Sequence, residues 1–189
     1  MAENLKKNAV FLDRDGTIID DVGYIKDPSL ICFLPGALEA LTMLQDAGFA
    51  LVVVSNQSGI ARGIISLEEL QAVRQRFCEL LKNNNIILMD YLFCPHHPSG
   101  SVEEFRKKCD CRKPAPGMLL DAADRHGIDL KNSWMIGDKN DDVRAGLAAG
   151  TRTIRLADPD KRHSNDVSPD FYAANLLQAV KIITGTYPV

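Results

Sequence analysis

The chain has 189 residues, enough for one domain with a real core or at most two small ones. Apolar residues make up 46% and charged residues 25%, and the net charge is −3, so no basic excess draws it to nucleic acid or an anionic membrane. The start, MAENLKKN, lacks the apolar stretch of a secretory signal, and the longest apolar runs, such as 49–54 (FALVVV), are far short of the ~20 residues that span a bilayer, so a soluble cytoplasmic protein is expected. Along the chain, apolar runs at 8–13, 50–55, 88–94, 133–137 and 151–156 read as strands. Most are continuous rather than alternating, as expected when both faces of a parallel sheet are covered. Helical patterns lie between them. The first runs over 36–47 after Pro35 and stops at Gly48, and the second over 66–83 with Ser66 and Glu69 as a capping box. A third follows Pro114 and Pro116 to about His126, a fourth spans 140–150, and a fifth spans 170–184. Strands alternating with helices predict a three-layer α/β/α, Rossmann-like sandwich with a mostly parallel sheet, as a single domain over 1–189. Stretches 18–34 and 95–113 are too long for ordinary connections and are candidates for function.

In such a sheet, ligands bind at the C-terminal ends of the strands. Asp13, Ser55, Cys94 and Asp138 all fall there. The segment AVFLDRDGTIIDD sets Asp13 and Asp15 close together, and two like charges ~4 Å apart repel by roughly 4 kcal/mol at an effective dielectric near 20. Gly137-Asp138-Lys139, with Asp141 and Asp142 beyond, ends another strand. One Asp after a strand is often only a helix cap. Two or three at adjacent strand ends make a hard oxygen site suited to Mg²⁺, which relieves that repulsion.

The stretch CPHHPSGSVEEFRKKCDCRKPAPG holds Cys94-x-His96, then twelve residues, then Cys109-x-Cys111. In a cytoplasmic chain a Cys₃His set favours tetrahedral Zn²⁺ over disulfides. The set is full, with no obvious place for water, so a structural zinc over 94–111 is expected. His97 reads as a solvent-side or supporting neighbour, and Cys32 and Cys78 as small thiols of no special role. A zinc-ribbon nucleic-acid module is the rival reading. It would need a basic surface and a reading helix, and the loop offers only Arg106, Lys107, Lys108, Arg112 and Lys113 among acids. Zinc would hold Arg112 and Lys113 rigidly beside the carboxylate site, Arg112 suiting bidentate phosphate capture.

DRDGT resembles the first motif of the haloacid dehalogenase superfamily of phosphatases. Ser55-Asn56-Gln57 resembles its second motif, Lys113 its third, and Gly137-Asp138 through Asp142 its fourth. The resemblance covers nearly the whole chain. It implies Asp13 as nucleophile, Asp15 as general acid/base, and Mg²⁺ held by Asp13, the Asp15 backbone carbonyl and Asp138. The chemistry is coherent: a carboxylate attacking phosphorus approaches an anion, and needs Mg²⁺ on one side and Lys113 on the other. Ser55 and the Asn56 amide can donate to the phosphoryl oxygens. The zinc loop resembles that of the branch holding histidinol-phosphate and heptose-bisphosphate phosphatases, and FALVVVSNQSGIARG, CPHHPSGSVEEFR, CDCRKPAPGMLL, MIGDK and the DxGY stretch Asp21 to Tyr24 resemble its heptose-bisphosphate members. This implies a sugar bisphosphate as the small-molecule substrate, in making activated heptose for lipopolysaccharide or surface glycans. Its contacts would come from Asp21, Val22, Gly23, Tyr24, Ser55, Asn56, Gln57, Ser58, Arg112, Lys113 and Lys139. Histidinol phosphate is the close alternative substrate, and an inactive zinc-stabilised binding module the distant one. No large cap domain is visible, so the zinc loop and 18–34 must restrict access; a monomer without nucleic-acid or membrane partners is expected.

Overall fold

The computed structural model describes residues 6–157 and 167–186. Six parallel strands form one sheet in the order β3-β2-β1-β4-β5-β6. In chain order the elements are β1 (Ala9–Leu12), α1 (Ala37–Asp46), β2 (Ala50–Asn56), α2 (Leu67–Asn83), β3 (Leu88–Cys94), α3 (Gly117–His126), β4 (Trp134–Gly137), α4 (Asn140–Ala149), β5 (Arg152–Leu156), β6 (Phe171–Ala173) and α5 (Leu176–Ile183).

Strand pleating explains the continuous apolar runs. Val10 and Leu12 face one side, into a core with Leu41, Phe77 and Val180 of α1, α2 and α5. Ala9 and Phe11 face the other, against Met118, Leu119 and Ala145 of α3 and α4. Helices on both faces make the three layers expected from the sequence.

The sequence differs from the structure at the last element. Residues 171–173 are an edge strand, and α5 starts only after Asn175, whose side chain accepts from the Gln178 N–H. Three residues paired to β5 are too few to show a period of two, and the helical pattern beyond absorbs them.

The segment after β1 folds back on itself. Ile19 bridges to Phe33, and the Asp20 N–H donates to the Cys32 carbonyl. Ile18, Ile19 and Ile25 are buried beneath it. The tip, 21–24, is thereby held over the C-terminal edge of the sheet. No cap domain occurs among the described residues.

Candidate active site

Asp13 follows the last residue of β1, its N–H bonded to the Ile136 carbonyl of β4. Its carboxylate is buried and accepts from Lys113 Nζ at 2.7 Å. Lys113 is wholly buried and also donates to the Val54 carbonyl at 2.6 Å and pairs with Asp142 at 2.6 Å. Burial works against the Lys113 charge, but Asp13 and Asp142 outweigh it and hold the ammonium above the ordinary lysine range. Lys113 keeps this place because Asn56, at the end of β2, clamps its backbone: Asn56 Nδ2 donates to the Lys113 carbonyl at 2.9 Å, and the Lys113 N–H donates to Asn56 Oδ1 at 3.1 Å.

Oxygens of Asp13, Asp138 and Asp142 lie within 4.8 Å of one another. Three carboxylates and one ammonium leave a surplus of two negative charges, the charge a divalent cation cancels. Asp138 Oδ1 is buried with no hydrogen-bond partner, an arrangement that costs free energy unless something electropositive faces it. Burial first, then Asp13 and Asp142, push the Asp138 carboxyl up to about 7, against the pull of Lys139. The donor set, the charge and the orphaned oxygen all fit Mg²⁺. Two glycines let the carboxylates approach. A Cβ on Gly16, whose φ is +81°, would meet Asp138 Oδ2 at 2.7 Å, and one on Gly137 would meet the Asp142 carboxylate at 2.3 Å.

Asp15 points elsewhere. It accepts from Arg14 Nε and Nη2, each at 2.9 Å, and from Gln57 Nε2 at 3.0 Å. Burial raises its pKa, with Arg14 opposing. Its carboxylate is not among the three that cluster at Asp13, Asp138 and Asp142. Gln57 Nε2 also donates to Ser55 Oγ at 2.8 Å, leaving the Ser55 hydroxyl proton free to donate elsewhere.

A polar cavity of about 360 Å³ opens at this edge. Of the residues anticipated from sequence, Asp13, Asp15, Asp21, Gly23, Tyr24, Asn56, Gln57, Ser58, Arg112, Lys113 and Lys139 line it. Ser55 lies buried beneath it, and Val22 is 61% exposed and takes no part in the lining. Lys139 Nζ donates to Asp21 Oδ2 at 2.9 Å, tying the 21–24 tip to the start of α4, and Asp21 and Asp138 overcome burial to push the Lys139 pKa up to about 12. Arg112 Nη1 donates to the His96 carbonyl at 3.3 Å. Two residues at the centre were not in the anticipated set. Asp142, which the sequence sets with Asp141 beyond the end of β4 and in the fourth motif but gives no role of its own, sits at the N3 position of α4, where it accepts from the Lys139 N–H. Arg14 was visible only as the residue between two aspartates.

Beside the cavity, Cys94, His96, Cys109 and Cys111 converge. Their sulfurs stand 3.0–3.5 Å apart, and His96 Nδ1 lies 3.3 Å from Cys111 and 3.7 Å from Cys94. A tetrahedron with Zn–S bonds near 2.3 Å has edges of ~3.8 Å, so the four atoms need only a slight expansion around zinc. Hydrogen bonding with Cys94, against burial, pushes the Cys111 thiol down to about 5, which suits a thiolate ligand at this position. We expect one tightly held zinc per chain, and Cys109→Ser to lower both zinc content and turnover, because Arg112 and Lys113 follow the last ligand directly. Elemental analysis of native protein and variant, alongside activity, checks this.

Comparison with known proteins gives the same direction. A family model described as "HAD-hyrolase-like" matches residues 110–179. A D-glycero-β-D-manno-heptose-1,7-bisphosphate 7-phosphatase of Yersinia pestis is 40% identical over 181 residues, 95% of this chain and 96% of that protein. The Escherichia coli (strain K12) protein of the same name is 48% identical over 145 residues, 77% and 76% of the two chains. Among solved structures, the D,D-heptose 1,7-bisphosphate phosphatase of B. bronchiseptica, complexed with magnesium and phosphate, superimposes with a TM-score of 0.83 at 28% identity. That match covers 95% of this chain and 99% of the other. The chain belongs to the D-glycero-D-manno-heptose-1,7-bisphosphate 7-phosphatase family of the haloacid dehalogenase superfamily.

Proposed function

We propose that this chain, as one phosphatase domain over 1–189, removes the C7 phosphate of D-glycero-β-D-manno-heptose 1,7-bisphosphate, feeding the making of activated heptose for surface glycans. The observation that carries the reading is the buried Asp13 carboxylate at the end of β1, set between Lys113 and Asp138 at the base of a polar cavity. The β anomer and the position of cleavage rest on the names of the relatives.

An Asp13 oxygen attacks phosphorus, and the bond from phosphorus to the C7 oxygen breaks. Asp15 gives its proton to the departing alkoxide, which its raised pKa favours. Water then attacks the phosphoryl group on Asp13, loses a proton to Asp15, and frees Asp13 and inorganic phosphate. Lys113 and the Ser55 hydroxyl supply positive potential and a donor to the phosphoryl oxygens. Mg²⁺, held by Asp13, Asp138 and the Asp15 carbonyl, would supply charge neutralisation and Lewis acidity at the phosphoryl group. Arg112 and Lys139, with the 21–24 tip, form the rim, where a second phosphate on the sugar would lie. A charge-assisted bond there is worth roughly 1.5–3 kcal/mol, which a monophosphate forgoes. A primary phosphate on the exocyclic carbon reaches Asp13 more deeply than one attached to the ring.

A substrate panel of both heptose bisphosphate anomers, heptose 7-phosphate and histidinol phosphate tests the reading. The β bisphosphate is expected to have the highest kcat/KM; a preference for histidinol phosphate would overturn it.

The metal-free Asp138 carboxyl near 7 adds a pH prediction. Its pKa lies above that of the unfolded chain, so it favours the fold at low pH and loses that contribution as pH rises from about 4 to 7. Mg²⁺ needs the carboxylate, so its affinity should increase with pH up to about 7 and then level off. The rise in melting temperature on adding Mg²⁺ should be larger at pH 8 than at pH 6.

A further inference from the structure

Arg14 is among the largest side chains fully buried in the molecule, at 1% exposure, yet it lies between the two aspartates of the first motif. It does not face Asp13; the hydrogen bonds of its guanidinium run to Asp15 and Tyr91. Nε donates to Asp15 Oδ1 and Nη2 to Asp15 Oδ2, both at 2.9 Å, and Nη1 donates to Tyr91 Oη at 3.0 Å. Tyr91, on β3, is itself immobilised. Its ring meets Phe77 edge-on at 5.8 Å between centroids, and the Arg74 guanidinium lies 5.2 Å over its face. Gln57 completes the frame by donating to Asp15 Oδ2.

A planar guanidinium that grips both oxygens of a carboxylate fixes its plane as well as its position, which a point charge does not. Arg14 is anchored at its far end to β3, so the plane of Asp15 is referred to the sheet rather than to the loop that carries it. Three hydrogen bonds fall on a carboxyl group with about four acceptor positions, leaving about one for a proton. We infer that Arg14, braced by the Tyr91 hydroxyl, is a positioning residue that aims the Asp15 carboxyl at the leaving-group oxygen. The inference rests on the reading of Asp15 as the proton donor.

Proton donation matters only where the leaving group needs a proton. The alkoxide of an alkyl phosphate does; p-nitrophenyl phosphate, on transferring its phosphoryl group, expels a stable phenolate. The test therefore compares kcat/KM, which reports phosphoryl transfer to Asp13, on a sugar 7-phosphate and on p-nitrophenyl phosphate. Arg14→Lys keeps the charge and loses the fork. It should lose roughly 10²-fold on the sugar phosphate and less than about tenfold on the aryl ester, the range set by losing an acid catalyst. Tyr91→Phe removes only the brace and should show the same imbalance more weakly; it carries the test should Arg14→Lys fail to fold. Equal losses on both substrates would make Arg14 a support of the fold alone and overturn the inference. Asp15→Asn separates the two levels. If it shows the imbalance and the Arg14 and Tyr91 variants do not, only the positioning role fails; if it too loses equally on both, the proton-donor reading fails with it.

Discussion

Asp13→Asn should lower turnover by roughly 10⁴-fold or more while leaving the fold intact. The amide keeps the shape of the carboxylate and can still accept from Lys113 through its oxygen, so packing at the end of β1 is preserved. It cannot form the acyl phosphate, and it withdraws one of three carboxylates crowded within 4.8 Å. Two consequences accompany the lost activity. Mg²⁺ should bind more weakly, and the metal-free variant should melt at the same temperature as the native chain or slightly above it, because like-charge repulsion is relieved. Activity assays and melting curves with and without Mg²⁺ check both. Near-native turnover would exclude a covalent route through Asp13.

Lys113→Met should act in the opposite sense on stability. Methionine fills much of the space of the lysine stem, but Asp13, Asp142 and the Val54 carbonyl lose a buried donor together. Removing one partner from a buried charge pair costs about 3–5 kcal/mol, since the partner stays charged and unpaired. For a chain of this size that corresponds to a fall in melting temperature of roughly 10 °C. Turnover should drop by roughly 10²–10³-fold, as for loss of a strong electrostatic contact to the transition state. Asp142→Asn made together with Lys113→Met should recover part of the stability and none of the activity, because it removes one stranded charge and restores no cation. Thermal melts of the two single variants and the double variant, with kcat for each, decide it.

The layers of this fold are legible in the sequence because β1, β2 and β4 are buried on both faces, and burial on both faces writes a continuous apolar run. The Cys94-x-His96 and Cys109-x-Cys111 pairs are equally legible, since metal ligation fixes residue type and spacing at once. Placement of side chains is less so. That Asp13 and Asp138 end adjacent strands follows from the strand order of a parallel sheet. Nothing in DRDGT says that Arg14 turns away from solvent to reach Tyr91, 77 positions along, because the direction of a side chain in a turn depends on what tertiary packing leaves open. The pairing of Asp142 with Lys113 is masked by a double role. At N3 of α4 Asp142 caps the helix, which is sufficient local reason for an acid there, while its other oxygen pairs with Lys113. Val22 went the other way: it belongs to a segment whose neighbours Asp21, Gly23 and Tyr24 line the cavity, yet the tip of the turn carries it into solvent.

In the proposed reaction the exocyclic phosphate reaches Asp13 while the anomeric phosphate stays at the rim with Arg112. Phosphorus NMR of D-glycero-β-D-manno-heptose 1,7-bisphosphate during turnover by the native chain tests it directly. The C7 signal should disappear as inorganic phosphate grows, with the C1 signal retained in a heptose 1-phosphate product. Loss of the anomeric signal with the C7 signal retained would contradict it.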